Sequence, residues 1–430
     1  MKTLFTLALL AFLMVSTAPL EAESDVVSTE RTYTSYYDTT IDVTIYHDGA
    51  DMDAVFSEFE DALQEIHQLA DQYEAYEGIT NLKTINDNPG EAHEVDPHLF
   101  EMISTGKDYY DKTDGYFNIA LGPVINIWQD LLDQCVGIEC TFERDALPES
   151  ETLEAADAYT DVEDISLNAD DLTVQIEEGM HLDLGGIAKG YGAEVAAEVL
   201  KDREGIEAFI LNAGTSNIEV YGEHPERESG LWRIDIVDPA FEPDFIGSLF
   251  GQREHFATVY LEDGQHIVGS GNYERFFTVD GVRYHHLIDP YTLYPTGALE
   301  EDISFLENAQ QQLLCQTERD YFLGTWLITD DGYKGDIHVT AAYLMDVERS
   351  IDYVERLEET EGVFFGADER IFRTENFDAE LHDGYEYSDL GDRAPCILPV
   401  VAIGGGFIVI AGGGVAFTTI KNKRKQIETA

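Results

Sequence analysis

Apolar and polar residues change period several times along this chain, and the changes mark out its elements. Residues 33–47 alternate apolar with polar side chains, the period of a strand with one buried face, whereas 52–76 repeat apolar residues every three or four positions, the period of a helix. A second helix is predicted over 97–111, and 115–128 reads as a loop leading into a third. An acidic connector over 129–164 holds one more helix, starting at Pro148-Glu-Ser150. Strands are predicted at 172–176 and 181–183, bracketing a Glu-Glu-Gly turn, with helical spacing over 187–201. Strands then predominate, at 208–212, 217–221, 232–237, 256–261, 276–279 and 283–287. The last two face each other across Asp280-Gly281, a dipeptide suited to a two-residue hairpin turn. A strand at 326–329 and helices at 338–347 and 351–361 complete the body, and no internal repeat is present. The order of elements predicts one α+β body over 33–383, with mixed sheets and packed helices.

Two apolar runs stand outside that body. Lys2, the run 4–15 and the small residues Ser16-Thr17-Ala18 have the form of a secretory signal peptide over 1–22. Residues 397–420 carry no charge and lead into Lys421-Asn-Lys423-Arg424-Lys425, the pattern of one transmembrane helix followed by a basic cytoplasmic tail over 421–430. The polar, aperiodic segment 384–396 is expected as a tether between body and membrane. Together these predict a single-pass protein of the cell membrane with its folded domain extracellular.

Charge narrows the partners. With 86 acidic against 25 basic residues, the formal net charge is −61, which excludes nucleic acid as a ligand. The excess is spread along the chain and suits a solvated surface in a screening, salt-rich medium. Any anionic ligand must therefore be met by local positive charge. Cys135 and Cys140 lie near enough in sequence to close a small disulfide in an oxidising compartment, and no histidine or further cysteine beside them suggests a metal site.

The segment Asp183-Leu-Gly-Gly-Ile-Ala-Lys189-Gly-Tyr191 places two adjacent glycines, a lysine and a third glycine at a strand-to-helix transition. Such a turn lets backbone amides and one cation approach a phosphate with little side-chain bulk between; the same pattern also serves ordinary close packing. Asp336 and Thr340, spaced i and i+4, fall on one helix face and offer oxygen ligands of the kind magnesium prefers. Equally, Asp336 suits a helix cap with Thr340 facing solvent.

Read in order with Asp38-Thr39-Thr40-Ile-Asp-Val, Tyr73, Asp114-Gly-Tyr-Phe-Asn-Ile-Ala-Leu-Gly-Pro-Val-Ile-Asn-Ile-Trp128, Leu211-Asn-Ala-Gly214, Gly269-Ser-Gly-Asn-Tyr273-Glu-Arg275 and His285-His-Leu-Ile-Asp-Pro290, this segment resembles the FAD:protein FMN transferase (ApbE) family. The resemblance runs colinearly from about residue 36 to 344. It implies an ApbE-like (T-fold-like) fold and an enzyme that transfers FMN from FAD to a threonine or serine of an acceptor protein, releasing AMP and requiring Mg²⁺. The acceptor it implies is an extracytoplasmic redox protein carrying a short flavinylation motif.

By register, the resemblance implies metal ligation by Asp336, Thr340 and the backbone carbonyl of Gly186. It implies that Tyr37, Tyr73, Tyr116, Phe117, Asn118, Asp183, Lys189, Arg275 and His286 surround the flavin nucleotide, where aromatic rings can stack on its planar groups. Asp183 is the candidate for steering or deprotonating the acceptor hydroxyl. His286 either moves that proton or binds a phosphate oxygen, unless it braces the turn that follows it; His285 is expected to be structural. The chain departs from the family pattern at Asn118, where aspartate is usual, at Leu293, where glycine is usual, and in an insertion over 300–324. Two alternatives use the same site: a Mg²⁺-dependent FAD pyrophosphatase, with water as acceptor, and a surface protein that binds flavin without turnover.

Overall fold

The computed structural model describes residues 26–49, 51–135, 140–201, 203–214, 216–241, 254–273, 275–298 and 321–390. The expected signal peptide, membrane helix and basic tail lie outside the described residues, as does 300–320 of the expected insertion; no described helix is long and apolar enough to cross a membrane.

An antiparallel sheet of eight strands runs through the middle of the molecule. In spatial order it comprises β1 (Val27–Tyr36), β2 (Thr39–His47), β6 (Ile206–Ala213), β7 (Asn217–Tyr221), β10 (His266–Gly271), β13 (Phe322–Thr329), β14 (Thr360–Gly366) and β15 (Ile371–Arg373). The strand period decides what each face carries. On β6, Phe209, Leu211 and Ala213 point to one side and Ala208 to the other.

Helices α1 (Asp53–Ala70), α6 (Ala188–Glu198), α7 (Gly332–Leu344) and α8 (Val347–Val354) pack on the first face, extended by α2 (Leu82–Asp87) and α3 (Pro97–Lys112). A three-stranded sheet of β16 (Glu380–Leu381), β9 (His255–Leu261) and β8 (Trp232–Val237) covers the second through Phe256, Val259, Trp232 and Ile234. A satellite core under α4 (Gly122–Leu132) and α5 (Ser150–Asp157) packs Trp128 and Leu132 against the hairpin of β11 (Phe276–Val279) and β12 (Val282–His285). A small sheet, β3 (His93–Glu94), β5 (Thr173–Ile176) and β4 (Ile165–Asn168), closes one end.

Several expectations shift. The single strand read over 33–47 is two strands, because Tyr37 and Asp38 both adopt left-handed backbone, with φ of 54° and 52°, and turn β1 back onto β2. Helix α1 stops at Ala70, where the Asp71 side chain accepts the amides of Tyr73 and Glu74 and draws the chain away from the axis. Residues 181–183 form no strand: the amide and carbonyl of Leu182 are both held by the buried side chain of Asn86, and β5 pairs with β4 instead. Helix α7 begins six residues before the predicted position, and α8 ends at Val354, so that 360–366 becomes a strand. The expected tether starts inside the packed body: Tyr385 lies against Phe256 and Phe365 and donates to Asp238, and the Ser388 amide bonds the Ile371 carbonyl. Residues 321–324 of the expected insertion belong to the β13 side of the main sheet.

Two expectations hold. The Asp280-Gly281 turn has φ of 50° and 86°, the left-handed pair a two-residue hairpin requires, and Cys135 is bonded to Cys140.

Leu293, standing where the family pattern has glycine, keeps the left-handed backbone with φ of 67°. Its side chain is buried in the satellite core and its carbonyl accepts the Trp128 indole N–H at 2.8 Å. Relief of backbone strain is worth about 1 kcal/mol, while the lost leucine leaves a cavity costing about 2–5 kcal/mol. Leu293→Gly is therefore expected to destabilise the protein, by about 1–4 kcal/mol in urea unfolding, despite restoring the residue the backbone prefers.

Candidate active site

Asp336 is the centre of the site. It projects from α7 and is only 5% exposed, yet no cation pairs with it within 4.0 Å among the described residues. Instead, Oδ2 accepts the Gly190 amide at 2.9 Å and Oδ1 accepts the Asn217 side-chain amide at 3.2 Å. Asn217, itself buried, also donates to the Gly332 carbonyl at 2.9 Å, which joins β7 to the first turn of α7. Asp331 caps that helix by accepting the Lys334 amide, so Asp336 is not the cap. Burial pushes the Asp336 carboxyl up to about 7, opposed by Lys189, Asn217 and the Gly190 amide. A carboxylate held this way is oriented but not neutralised.

The glycine turn lies over the same helix face. A Cβ on Gly186 would stand 3.7 Å from Thr340 Oγ1 and 2.9 Å from the Phe117 ring; one on Gly190 would stand 2.7 Å from Asp336 Oδ2. Glycine at these positions lets α6 and its turn come down onto α7. No side chain caps the start of α6, and Lys189, in its first turn, forms no ion pair within 4.0 Å among the described residues. Its charge acts on both Asp336 and His286. Asp183 brackets the turn, accepting the Gly185 amide on Oδ1 and the Gln72 side-chain amide on Oδ2, both at 2.8 Å.

His286 and Arg275 form the opposite edge. Desolvation, then His285, Lys189 and Arg275, hold the His286 imidazole far below its ordinary value, so it is neutral near pH 7. Its Nδ1 lies 3.4 Å from the Arg275 carbonyl, which only accepts; the hydrogen is therefore assigned to Nδ1, and Nε2, without a hydrogen-bond partner among the described residues, is left as the acceptor. His285 is buried, with Nε2 donating to the Thr296 carbonyl and Nδ1 accepting the Leu287 amide, a structural role as expected. Tyr73 is half exposed; desolvation, then Asp183 and Asp133, push its hydroxyl up to about 12 against the pull of Arg275.

The structure thus brings together Gly186, Asp336, Thr340, Asp183, Lys189, Phe117, His286, Arg275 and Tyr73. Three expected residues have their polar groups engaged by the fold itself. The Tyr37 hydroxyl donates to the Leu63 carbonyl above Gly192, clasping α1 to α6. Tyr116 is bonded through its hydroxyl to Arg349 and stacked edge-on against Tyr291. Asn118 braces its loop, donating to the Thr160 carbonyl and accepting the Ala120 amide. Sequence reasoning missed Asn217, Gly190 and Gln72. Only Gly190 left a signal, since a glycine inside a helix costs about 1 kcal/mol and calls for a packing reason.

A cation fits this arrangement. Among the described residues there is no cluster of three or more histidine, cysteine or acidic side chains suited to a metal. One carboxylate, one hydroxyl and a backbone carbonyl in a glycine turn make instead the sparse oxygen set that suits Mg²⁺ shared with a phosphate and water.

The buried carboxyl gives stability a distinctive pH dependence. In metal-free protein, Asp336 ionises near 7 when folded and near 4 when unfolded. The unfolded chain loses its proton first, so this residue's contribution is greatest below about pH 4 and is lost as pH rises toward 7. Metal-free Asp336→Asn is expected to be more stable than the parent by about 1–3 kcal/mol at pH 8 and to lose that advantage at pH 4, measured by chemical unfolding at both.

Residues 37–302 match the model of the ApbE family. The chain is 28% identical over 268 residues to the FAD:protein FMN transferase of Klebsiella pneumoniae (strain 342), covering 62% of this chain and 68% of that one. It is 30% identical over 259 residues to the enzyme of the same name from Treponema pallidum (strain Nichols), covering 56% and 66%. Among solved structures, the ApbE protein of Thermotoga maritima superposes with a TM-score of 0.63 at 21% identity, covering 82% of this chain and 98% of that one. The flavin transferase ApbE of Vibrio cholerae superposes with a TM-score of 0.62 at 20% identity over the same shares. Asp336 and Thr340 lie beyond the matched span. The chain belongs to the ApbE family.

Proposed function

We propose that this protein is an FAD:protein FMN transferase that moves the FMN half of FAD onto a threonine or serine hydroxyl of an acceptor protein and releases AMP. The observation that carries the reading is the buried Asp336 carboxylate, held by the Gly190 and Asn217 amides under a glycine turn whose lysine has no ion-pair partner among the described residues. That arrangement suits a pyrophosphate and its cation better than it suits packing alone.

Asp336, Thr340 and the Gly186 carbonyl would hold Mg²⁺, which when bound offsets charge on the pyrophosphate oxygens. Lys189 and the uncapped amides at the start of α6 are placed to bind those same oxygens. The acceptor oxygen attacks the FMN phosphorus, and the bond from that phosphorus to the bridging oxygen breaks, so AMP leaves with its electron pair. We assign the hydroxyl proton to His286 Nε2, the free acceptor on the neutral ring. Asp183, with both oxygens already accepting, acts by charge and orientation. Phe117 and Tyr73 supply apolar surface for the flavin.

The same reading takes residues 1–22 as an export signal and 397–420 as a membrane anchor, so that the transferase works outside the cell on extracytoplasmic redox proteins.

The test is mass spectrometry of a threonine-containing acceptor domain after incubation with the full chain in detergent, FAD and MgCl₂, with AMP assayed alongside. A gain of one FMN per acceptor is expected, lowered by about 10²–10³ in rate for Asp336→Ala. AMP without a modified acceptor would replace transfer by pyrophosphate hydrolysis, and bound FAD with neither product would reduce the protein to a flavin carrier.

A further inference from the structure

We propose that the Cys135–Cys140 disulfide is a positioning strap for the flavin edge of the site, fixing Arg275 and His286 by tying the end of α4 to the hairpin of β11 and β12. The proposal rests on the flavin reading of that site.

The strap has two ends. Cys135 closes α4, its amide donating to the Leu132 carbonyl at 3.0 Å. Cys140 lies beside β11: its carbonyl accepts the Thr278 amide at 2.8 Å, and the Phe142 amide returns a bond to the Thr278 carbonyl at 2.9 Å. Thr141 and Thr278 share a hydroxyl contact at 3.0 Å, Phe142 packs edge-on against Phe277, and Arg144 bonds Asp280 in the hairpin turn at 2.9 Å. The segment after Cys140 thus behaves as an added strand of the hairpin, and the disulfide is the covalent link from that strand to the helix.

Both ends meet at the site. From α4, the Asp133 carboxylate lies 3.8 Å from the Arg275 guanidinium. In the hairpin, Phe276 is the register partner of His285, which sets Arg275 opposite His286 and gives the 3.4 Å contact between the Arg275 carbonyl and His286 Nδ1. Arg275 is therefore reached from the helix side chain and from the hairpin backbone, and the disulfide adds a covalent tie to the packing of Trp128 and Leu132 against the hairpin. A covalent loop this short restricts the unfolded chain least, so its effect is expected to be local more than global. Both cysteines are partly exposed and within reach of a small dithiol. Reduction would transfer two electrons and two protons from the dithiol, which closes to its own cyclic disulfide, leaving Cys135 and Cys140 as thiols.

The experiment measures FAD affinity by flavin fluorescence on the full chain in detergent, oxidised, after dithiothreitol, and as the Cys135→Ser/Cys140→Ser double variant. Opening the strap is expected to weaken FAD about tenfold while leaving the affinity for Mg²⁺, which is held on the α7 side, unchanged. In oxidised protein, Arg275→Ala should weaken FAD similarly, and combining it with the open strap should add little, because both act through one group. Dithiothreitol on the parent protein gives the same comparison without relying on the variants to fold. FAD affinity unchanged on opening, or effects of Arg275→Ala and the open strap that add in full, overturns the strap. No FAD binding by the oxidised parent overturns the flavin reading itself and the strap with it.

Discussion

One buried carboxylate organises this molecule. Asp336 sits almost out of water, between an amide from α6 and an amide from the side chain of Asn217, and everything around it follows from the need to bring those donors to it. The backbone of α6 must descend until nothing larger than hydrogen fits at Gly190, and Asn217 must stand at the first position of β7, with its other bond reaching the Gly332 carbonyl. The small residues Ala193, Ala196 and Ala197 pack along α6, and Gly192 leaves room for the Tyr37 hydroxyl, which donates to the Leu63 carbonyl and locks the β1–β2 turn onto the helix layer. The eight-stranded sheet supplies the rigid floor on which both helices can hold that spacing. An ionised group kept in such a place costs stability without its cation, and this cost is a mark of a functional position more than of a structural one.

The second constraint is electrostatic. A chain with net charge −61 repels an anionic dinucleotide at long range, so binding depends on a few positive groups placed within contact distance. Most described lysines and arginines are spent on ion pairs: Lys201 on Glu219 and Glu198, Arg203 on Glu58, Lys334 on Asp331. Lys189 is left for the ligand, and Arg275 is engaged only loosely by Asp133. Desolvation first, then His285 and the charges of Lys189 and Arg275, keep His286 neutral at the edge of the site.

What the sequence made legible were features written in local pattern. Helix α3, the Asp280-Gly281 hairpin and the glycine turn before α6 depend on neighbours within a few residues, and the motif order pointed to the family. Features that depend on distant partners were hidden. The period-two pattern ran unbroken through Tyr37-Asp38 because a two-residue turn preserves alternation, so two strands read as one. The start of α7 was concealed by Gly332 and Gly335, poor helix formers whose place is set by packing against His266 and Val268. Asn217 looked like any polar residue opening a strand; its meaning lies in Asp336, 119 residues further on. Tyr116 and Asn118 shared a motif with Phe117, but motif membership does not fix contacts: the Phe117 ring lies against Gly186, while Tyr116 is bonded to Arg349 and Asn118 to the Thr160 carbonyl.

The most direct test of this account is the thermodynamic coupling between FAD and Mg²⁺. If Asp336 and the glycine turn hold a cation against the pyrophosphate, titration calorimetry should show each ligand tightening the other by the same factor, about 5- to 150-fold, and Asp336→Ala should abolish the coupling while leaving weak FAD binding. FAD affinity independent of Mg²⁺ in the parent protein would contradict it.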